Sequence, residues 1–381
     1  MSMNAPWQFY NPVDLTIGRD CRAGLAQKLG TQPKTLLLVT SQRGRQQWES
    51  DSLLQQIAQS HRLEWHDRVT ENPDLHELQD SIEEWQGHSL DAVIAFGGGS
   101  AMDAAKAMRS GLSCDMPLAD QLASPQLATR RVSLPLYALP TTAGTGSEVT
   151  PFATVWDHQA KKKHSLAGRR VFPTAAFVDG ALMDSLPSHV TISTGLDAIN
   201  QAAESIWNRH ANPLTLNLAT QALQLGMETL PRLASGESTS DDRDRMAEAS
   251  TLAGLAISQT RTALCHAMSY PLTAHYGVPH GLACAFTMPA VLAHNLTADD
   301  GRFTQLAHAL GHTTTAALLT YFEALNERLN VREMVKRQLP SLEALLSLQS
   351  EMHTPGRADN NLAPITALSG ILRSAWGESG V

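Results

Sequence analysis

The stretch Asp91 to Lys106, with the sequence DAVIAFGGGSAMDAAK, decides the fold of the first half of this chain. Its first six residues, Asp91 to Phe96, form an apolar run that predicts a buried strand. The glycines of Gly97 to Gly99 end that strand, and Ser100 to Arg109 shows helical spacing of its apolar residues. A strand that turns through glycines into a helix is typical of a βαβ unit, in which successive strands are parallel.

Apolar runs of the same kind lie on both sides of this stretch. Thr35 to Thr40 (TLLLVT) precedes it, and Leu134 to Leu139 and Ala175 to Val178 follow it. Continuous apolar strands are typical of a parallel sheet that has helices on both faces. Phe152 to Trp156 and His164 to Leu166 predict a hairpin. We therefore expect an α/β domain with a Rossmann-like parallel sheet.

Strand patterns stop near residue 184. From Thr191 onward, Ala, Leu, Met, Gln and Glu recur at helical spacing. Interruptions of the helices are predicted at prolines, among them Pro231, Pro271 and Pro289. The sequence thus predicts an α/β domain over residues 1–184 and an all-helical domain over residues 185–381. The length of 381 residues agrees with two domains, since one hydrophobic core seldom serves so long a chain.

The composition excludes several classes of partner. Lys and Arg number 29 against 37 Asp and Glu, a formal net charge of −8, so we expect no nucleic-acid binding. The longest nearly apolar run, Leu282 to Ala293, is too short to span a bilayer, so we expect no membrane insertion. Four scattered cysteines and the lack of a secretory pattern in the first ten residues predict a cytoplasmic protein.

The glycine turn offers a phosphate site, because the N–H groups and dipole of a helix start attract anions. The same turn also fits a simple strand-to-helix connection in which Ser100 and Asp103 form a capping box. Met102 stands where a G-x-G-x-x-G motif has its third glycine, so both interpretations stay open.

A second loop, Pro140 to Thr150 (PTTAGTGSEVT), follows the next predicted strand and lies at the same edge of the sheet. Ligands of open parallel sheets bind at that edge. Its hydroxyls and glycines can donate to phosphate or to a nicotinamide amide, or can cap their own backbone. Together the two loops predict a dinucleotide site. Its predicted residues are Gly97, Gly98, Gly99, Ser100, Asp103, Thr141, Thr142, Thr145 and Ser147.

The helical part holds residues of the types that bind divalent metals. Asp197 and Gln201 are four residues apart and share one helix face, while His266 and His280 lie further along. One carboxylate and two imidazoles suit Fe²⁺ or Zn²⁺, and such a cation can polarise a carbonyl. Asp197 also lies three residues after Thr194 and can complete a capping box, so the residues alone leave both interpretations open.

Four motifs in one order resemble the iron-containing (group III) alcohol dehydrogenase family. They are GGGSAMDAAK at Gly97 to Lys106, PTTAGTGSE at Pro140 to Glu148, GLDA at Gly195 to Ala198, and two histidines with PHG at His266 to Gly281. The resemblance implies a dehydroquinate synthase-like architecture, NAD(P) on the two loops and a divalent metal in the helical domain. It also implies a homodimer or a larger homo-oligomer.

The resemblance further implies that Asp197, His266 and His280 are three of four metal ligands. The fourth position departs from the family, which has a histidine where this chain has Gln201. An amide oxygen is a weaker ligand than imidazole, so the departure predicts lower affinity, a shift between Fe²⁺ and Zn²⁺, or a metal-free enzyme. Tyr270 replaces a histidine that many members carry near the nicotinamide. Tyr270 and His275 are therefore the candidate proton donors, with water as the alternative.

The residues that follow the first apolar strand indicate which coenzyme the protein prefers. Family members that use NAD tend to carry an aspartate there, and this chain has Ser41 followed by Arg43 and Arg45. A neutral residue with cations nearby accepts the 2′-phosphate of NADPH. We therefore expect NADPH in preference to NADH, unless the arginines are merely solvated.

Two regions resemble the phosphonoacetaldehyde reductase branch of the family, Phe152 to Arg170 and His266 to Phe286. Lys161 to Lys163 with Arg169 and Arg170 would attract a phosphonate, or would form a solvated hairpin tip. The resemblance implies an NAD(P)H-dependent reductase of a small aldehyde, with phosphonoacetaldehyde, reduced to 2-hydroxyethylphosphonate, as the leading substrate. The alternatives are a general short-chain alcohol or diol dehydrogenase, and a non-catalytic nucleotide-binding homologue that lost a metal ligand at Gln201.

Overall fold

The computed structural model describes residues 6–124, 133–160, 162–353, 356–365 and 368–378. Within these ranges the strands are β1 (Asp14–Ile17), β2 (Thr35–Val39), β3 (Arg62–His66), β4 (Ala92–Gly97), β5 (Leu136–Pro140), β6 (Phe152–Asp157), β7 (Lys162–Ala167) and β8 (Ala175–Val178). The first six helices are α1 (Gly24–Leu29), α2 (Gln42–Ser50), α3 (Ser52–Ser60), α4 (Leu75–Trp85), α5 (Gly99–Leu112) and α6 (Leu118–Ala123). The later helices are α7 (Ser188–Ile206), α8 (Pro213–Ser235), α9 (Ser240–Thr260), α10 (Leu264–Tyr276), α11 (His280–Leu296), α12 (Arg302–Ala309), α13 (Thr315–Arg328), α14 (Val331–Lys336), α15 (Leu342–Ser347), α16 (Gln349–Met352) and α17 (Leu368–Trp376).

Six strands form one parallel sheet in the order β1-β8-β5-β4-β2-β3. The central strand β4 is buried along its whole length, as its unbroken apolar sequence requires. The predicted hairpin is present as the antiparallel pair β6 and β7. The predicted fold class, a parallel α/β sheet followed by helices, is confirmed.

The two faces of the sheet pack against different helices. Successive residues of a strand point to opposite faces, so β2 and β4 contribute to both cores. Leu37 and Val93 belong to a cluster that includes residues of α4 and α5. Leu36 and Ile94 belong to another cluster, which includes residues of α1, α2 and α3. The sheet is therefore the middle of three layers.

The chain divides into two compact units. The sheet unit comprises Asn11–Thr142 and Gly146–Asp184, and the helical unit comprises Met1–Tyr10, Ala143–Thr145 and Ser185–Val381. Two of the predicted interruptions are present, since α8 begins at Pro213 and Pro279 is the N-cap of α11. The prolines Pro231, Pro271 and Pro289 instead lie inside α8, α10 and α11. None of the helices in the described ranges is both long and apolar enough to cross a bilayer.

One glycine controls how two helices of the helical unit meet. Gly281 lies in the first turn of α11 and packs directly on α7. A Cβ atom at this position would lie 1.8 Å from the backbone oxygen of Ser193. The absence of a side chain therefore lets the start of α11 approach the backbone of α7.

Candidate metal centre and nucleotide loops

Asp197 and Gln201 lie one turn apart in the middle of α7, and both are buried. The amide nitrogen Nε2 of Gln201 donates a hydrogen bond of 3.1 Å to Oδ2 of Asp197. The capping box considered for Asp197 is wrong, because Thr194 lies inside α7 and its hydroxyl donates to the carbonyl of Val190. The Asp197 carboxylate is therefore a buried group that no helix start explains.

His266 is placed by a carboxylate on α7. Glu204 accepts hydrogen bonds from the backbone N–H groups of Ala263 (2.6 Å) and His266 (3.1 Å) at the start of α10. It also accepts from Nδ1 of His266 at 2.8 Å. A histidine whose Nδ1 is held in this way presents Nε2 as its free nitrogen. Nε2 of His266 faces Asp197, 3.3 Å from Oδ1.

His280 is the first residue of α11, and its ring presents the same nitrogen to the same carboxylate. The hydroxyl of Ser269 donates to the carbonyl of His266, so its oxygen can accept from Nδ1 of His280, 3.3 Å away. Nε2 of His280 then faces Asp197, 3.8 Å from Oδ1. Two imidazole nitrogens and one carboxylate oxygen thus converge on one point.

Cys284 joins this group, and the sequence analysis missed it. Its thiol lies one turn away from His280 along α11, 3.9 Å from Nε2 and 4.0 Å from Nδ1 of that ring. The candidate ligand atoms of Asp197, His266, His280 and Cys284 all lie within 4.8 Å of one another. The i, i+4 spacing from His280 was the available signal, because it places both side chains on one helix face. We call these four residues the metal-type cluster.

The electrostatics of the cluster favour a positive charge at its centre. Burial raises the pKa of Asp197, but the two histidines and Gln201 outweigh it and hold the pKa below its usual value. Burial opposes a charge on His266, yet Cys284, Glu204 and Asp197 raise its pKa well above the ordinary range. The same imidazoles overcome the effect of burial on Cys284 and lower its pKa to about 7.

A divalent cation fits these residues. Oδ1 of Asp197 and Oε1 of Gln201 are buried and have no hydrogen-bond partner in the part of the chain that the structure describes. Lone pairs of Nε2 atoms that face a carboxylate oxygen repel it unless a cation or a proton lies between them. A carboxylate, imidazoles and a thiol are also ligands that Zn²⁺ and other transition metals take.

The two predicted proton donors lie in different surroundings. Tyr270 stacks on the ring of His280, with ring centroids 5.9 Å apart and planes 4° from parallel. His275 lies in the exposed last turn of α10 and pairs with Glu351 at 2.8 Å. The structure therefore brings Tyr270 to the metal-type cluster and does not bring His275 there.

Arg357 is a second residue that the sequence analysis missed. Its half-buried guanidinium lies over the ring of Tyr270, 4.9 Å from the centroid. Among the described residues no carboxylate lies within ion-pair distance of it. Burial together with Arg261 lowers its pKa, and the more distant Glu204 opposes that shift. It lies in a polar loop between α16 and α17, where the sequence has no motif or periodicity that would indicate a functional residue.

The glycine turn contacts the first residues of the hydroxyl-rich loop, which like the turn belong to the sheet unit. The N–H of Thr141 donates to the carbonyl of Gly97 at 2.9 Å. A Cβ atom at Gly98 would lie 3.2 Å from the Thr142 side chain, and Gly97 has a φ of 148°. Gly99 begins α5 with Gly98 as its N-cap. This edge therefore presents the N–H groups of a helix start beside hydroxyl groups, the arrangement that binds phosphates.

The capping box considered for Ser100 and Asp103 is wrong, because α5 begins one residue earlier and has no side-chain cap. The hydroxyl of Ser100 accepts from the N–H of Asn72 at 3.3 Å. The carboxylate of Asp103 accepts from the Ser147 hydroxyl and from the N–H of Thr154, both at 2.8 Å. Thr145 lies in Ala143–Thr145, which belongs to the helical unit.

Lys106 anchors this edge, although no prediction singled it out. Its ammonium group is buried and donates to the backbone oxygens of Ser147 (2.6 Å), Thr150 (2.9 Å) and Phe152 (2.7 Å). It also donates to the Ser147 hydroxyl at 2.9 Å. Burial lowers its pKa to about 8, while Asp103 opposes that shift. One buried cation thus joins α5 to the hydroxyl-rich loop and to β6.

The residues tied to coenzyme choice lie at the end of β2. Ser41 caps α2, where its hydroxyl accepts from the N–H of Gly44. Arg45 is engaged by Glu49 (2.8 Å) and Asp67 (3.0 Å), while Arg43 is exposed. Arg45 is therefore less available to a 2′-phosphate than its position in the sequence implied.

The basic residues of the hairpin region belong to the sheet unit. Lys162, Arg169 and Arg170 are exposed, and Lys163 lies over the ring of Trp156. Lys161 lies outside the described residues. These positions agree with the solvated hairpin tip that was one of the two interpretations.

The fold, the two loops and the metal-type cluster define a class of protein. In this class a parallel sheet carries the glycine turn and the hydroxyl-rich loop at one edge, called the loop edge below, and a helical unit holds the metal-type cluster. Family comparison agrees with that class. Residues 12–180 match the iron-containing alcohol dehydrogenase family, and residues 191–338 match the C-terminal domain of the Fe-containing alcohol dehydrogenase family. The chain therefore belongs to the iron-containing alcohol dehydrogenase family, which confirms the predicted membership.

Two curated proteins are similar to part of this chain. The chain is 40% identical to the probable alcohol dehydrogenase EutG of Escherichia coli over 58% of its own length and 55% of that protein. It is 37% identical to the phosphonoacetaldehyde reductase of Streptomyces viridochromogenes over 54% of its own length and 53% of that protein. The chain thus spans little more than half the length of these curated relatives.

A solved structure matches the whole fold. The sulfoacetaldehyde reductase of Bifidobacterium kashiwanohense, in complex with NAD⁺, superposes with a TM-score of 0.88 at 30% identity. The match covers 98% of both chains. The names of these relatives agree with the oxidoreductase class predicted from the sequence.

Proposed function

We propose that this protein reduces a small aldehyde that carries a phosphonate group, with phosphonoacetaldehyde as the leading substrate and NAD(P)H as the hydride donor. The observation that carries the proposal is the position of Arg357, a half-buried cation that has no carboxylate partner among the described residues and lies on the ring of Tyr270. Two relatives named for anionic two-carbon aldehydes support the same substrate class.

The metal-type cluster suits the reduction of a carbonyl. Asp197, His266 and His280 would hold a divalent cation, Fe²⁺ or Zn²⁺, which polarises a carbonyl oxygen when bound. Glu204 and Ser269 fix the two imidazoles with Nε2 toward Asp197, so these nitrogens need no rearrangement to act as ligands. A site organised in advance in this way lowers the reorganisation that accompanies catalysis.

Tyr270 is the proposed proton donor. Its ring is stacked on that of His280, and the Arg357 guanidinium lies over it. Delivery of a proton to the alkoxide that forms during reduction requires a donor next to the reacting oxygen. His275 is tied to Glu351 at the surface, so we assign it no catalytic role.

Arg357 is the proposed anion-binding residue. A guanidinium that stacks on an aromatic ring keeps its in-plane N–H groups free for two parallel hydrogen bonds to an oxyanion. Hydrogen bonds to charged groups contribute about 1.5–3 kcal/mol, and about 3 kcal/mol corresponds to roughly 100-fold in affinity. Arg357 can therefore supply a large preference for an anionic aldehyde over a neutral one.

The nucleotide is proposed to bind the glycine turn and the hydroxyl-rich loop, and nicotinamide coenzymes supply hydride. The proposed contacts are Ser41, Gly97, Gly98, Gly99, Ser100, Asp103, Thr141, Thr142, Thr145 and Ser147. A preference for NADPH rests on the neutral Ser41 at the end of β2, since Arg45 is engaged by carboxylates. Steady-state rates with NADPH and NADH test this choice.

We also propose that the protein forms a homodimer or a larger homo-oligomer, and light scattering tests this.

The substrate is tested by comparing kcat/KM for phosphonoacetaldehyde, sulfoacetaldehyde and propanal. We expect phosphonoacetaldehyde to exceed propanal by roughly 100-fold or more. Arg357→Met should remove most of that preference through KM and leave propanal reduction nearly unchanged. Arg337→Met, an exposed arginine at the end of α14, is the matched control and should change neither value.

Other outcomes contradict the proposal in distinct ways. Equal use of propanal and phosphonoacetaldehyde would indicate a general short-chain alcohol dehydrogenase. A preference for sulfoacetaldehyde would keep the anionic class and replace the phosphonate by a sulfonate. NADPH binding without reduction of any aldehyde would indicate a non-catalytic homologue.

A further inference from the structure

The fourth member of the metal-type cluster is a thiol, and its surroundings differ from those of the other buried cysteines. Cys284 is completely buried. Its sulfur lies 3.9 Å from Nε2 and 4.0 Å from Nδ1 of His280, and within 4.8 Å of the candidate ligand atoms of Asp197 and His266. Cys265 is equally buried and neighbours His266 in sequence, yet it is not part of the cluster. Both thiols are buried, but only that of Cys284 lies close to the candidate ligand atoms of Asp197, His266 and His280.

Gln201 is the weaker candidate for the fourth ligand. Its amide nitrogen donates to Oδ2 of Asp197, so the amide is oriented by the carboxylate. Its oxygen, a neutral and weak ligand, has no hydrogen-bond partner among the described residues. A reversed amide would place its oxygen against Asp197, where two acceptor oxygens repel each other. Gln201 thus serves the Asp197 carboxylate through its N–H group.

We propose that Asp197, His266, His280 and Cys284 together bind one divalent metal ion, with the thiolate of Cys284 in the place of the histidine that is missing at position 201. The inference rests on the proposed metal site but not on the proposed substrate. A thiolate beside two imidazoles and one carboxylate is a softer set than three imidazoles and a carboxylate. Soft sulfur ligands favour Zn²⁺ over the harder Fe²⁺ site that the family name implies.

The distances allow such a site. Zn–N and Zn–S bonds are about 2.0 and 2.3 Å, so in a tetrahedral site two nitrogen or oxygen ligands lie roughly 3.3 Å apart, and a nitrogen and a sulfur roughly 3.5 Å apart. The four candidate atoms already lie within 4.8 Å of one another. Small rotations of side chains on α7, α10 and α11 would therefore close the set without movement of the helices.

The test uses Co²⁺ bound to the full-length enzyme in place of its own metal, and reads the absorption spectrum rather than activity. A thiolate ligand adds an intense charge-transfer band in the near ultraviolet, beside the weak visible bands of bound Co²⁺. The wild-type protein should bind about one Co²⁺ per chain and show this band. Cys284→Ser should lose the band, and Cys265→Ser, the matched control, should keep it.

Gln201→Leu separates the two candidates for the fourth position. This variant should keep the charge-transfer band, because the amide is not a ligand. The Zn²⁺ affinity of Cys284→Ser should fall by more than the roughly 10- to 100-fold that loss of an outer-shell partner costs. Persistence of the band in Cys284→Ser, or bound Co²⁺ without the band in the wild type, overturns the inference.

A measurement on the wild type covers the case in which Cys284→Ser fails to fold. X-ray absorption at the zinc edge should show one sulfur neighbour at about 2.3 Å. A shell of only nitrogen and oxygen neighbours, or no metal binding at all, overturns the proposal. If the sulfur is present and no phosphonate is reduced, the proposed substrate fails and this inference stands.

Discussion

The loop edge of the sheet unit and the metal-type cluster of the helical unit are both buried polar networks, but they differ in one respect. At the loop edge the cation is built in, since Lys106 donates to Ser147, Thr150 and Phe152. In the cluster, Oδ1 of Asp197 has no hydrogen-bond partner among the described residues. A polar network that is complete in itself stabilises the fold, whereas one that lacks a cation is arranged to bind one.

The largest expected effect comes from removing the built-in cation. Lys106→Met should lower the free energy of unfolding by roughly 3–5 kcal/mol, because it leaves buried oxygens without a donor and Asp103 without its cation. Urea denaturation measures the change. Lys162→Met, at an exposed position of β7, is the control and should stay within about 0.5 kcal/mol.

Stability of Lys106→Met close to the wild-type value would contradict the comparison. It would mean that Lys106 is not an anchor, and that the loop edge is as incomplete without its coenzyme as the cluster is without a metal.

A smaller effect is expected where α11 meets α7. Gly281→Ala places a methyl group against the backbone oxygen of Ser193, so it should destabilise the protein toward the upper end of roughly 1–3 kcal/mol. It should also lower metal affinity, because His280 is the neighbouring residue. Thermal denaturation and metal titration measure both effects.

Gly370→Ala is the matched control, since a Cβ atom at this position in α17 meets no atom within 4 Å. It should be neutral or stabilise the protein by about 0.5–1 kcal/mol. Equal metal affinity in Gly281→Ala and wild type would show that the close approach of the two helices does not position His280.

The smallest effect tests how the cluster is preorganised. Glu204→Gln turns an acceptor toward His266 into an amide that can donate to Nδ1 and move the ring proton to Nε2, the nitrogen that faces Asp197. Metal affinity should fall by roughly 10- to 100-fold, or about 1.4–2.8 kcal/mol. Glu248→Gln, exposed on α9, is the control. Unchanged affinity in Glu204→Gln would show that His266 needs no orienting carboxylate.

The sequence predicted the sheet better at its centre than at its edges. β2, β4, β5 and β8 are nearly continuous apolar runs, which only a sheet covered on both faces requires. The edge strands β1 and β3 mix polar and apolar residues; β1 is largely exposed and β3 mostly half-buried, so their pattern carried little information. Neither capping box considered as an alternative is present, because spacing alone does not show where a helix begins.

The sequence predicted the two loops and three of the four members of the cluster, but not the residues that act over long distances. Glu204, Lys106 and Arg357 work through contacts with residues 41 or more positions away in sequence. No local period marks such residues, because their partners are set by how helices and loops pack. The sequence does carry a signal for Cys284, because its spacing of four residues from His280 places both side chains on one helix face.

The most direct test of the whole account is the metal content of the anaerobically purified enzyme, with NADPH consumption against phosphonoacetaldehyde recorded before and after chelation. We expect about one divalent ion per chain, loss of activity on chelation and recovery when Zn²⁺ is returned. A metal-free protein that reduces phosphonoacetaldehyde at the full rate would contradict it, because the cluster would then need no cation and Tyr270 with Arg357 would suffice.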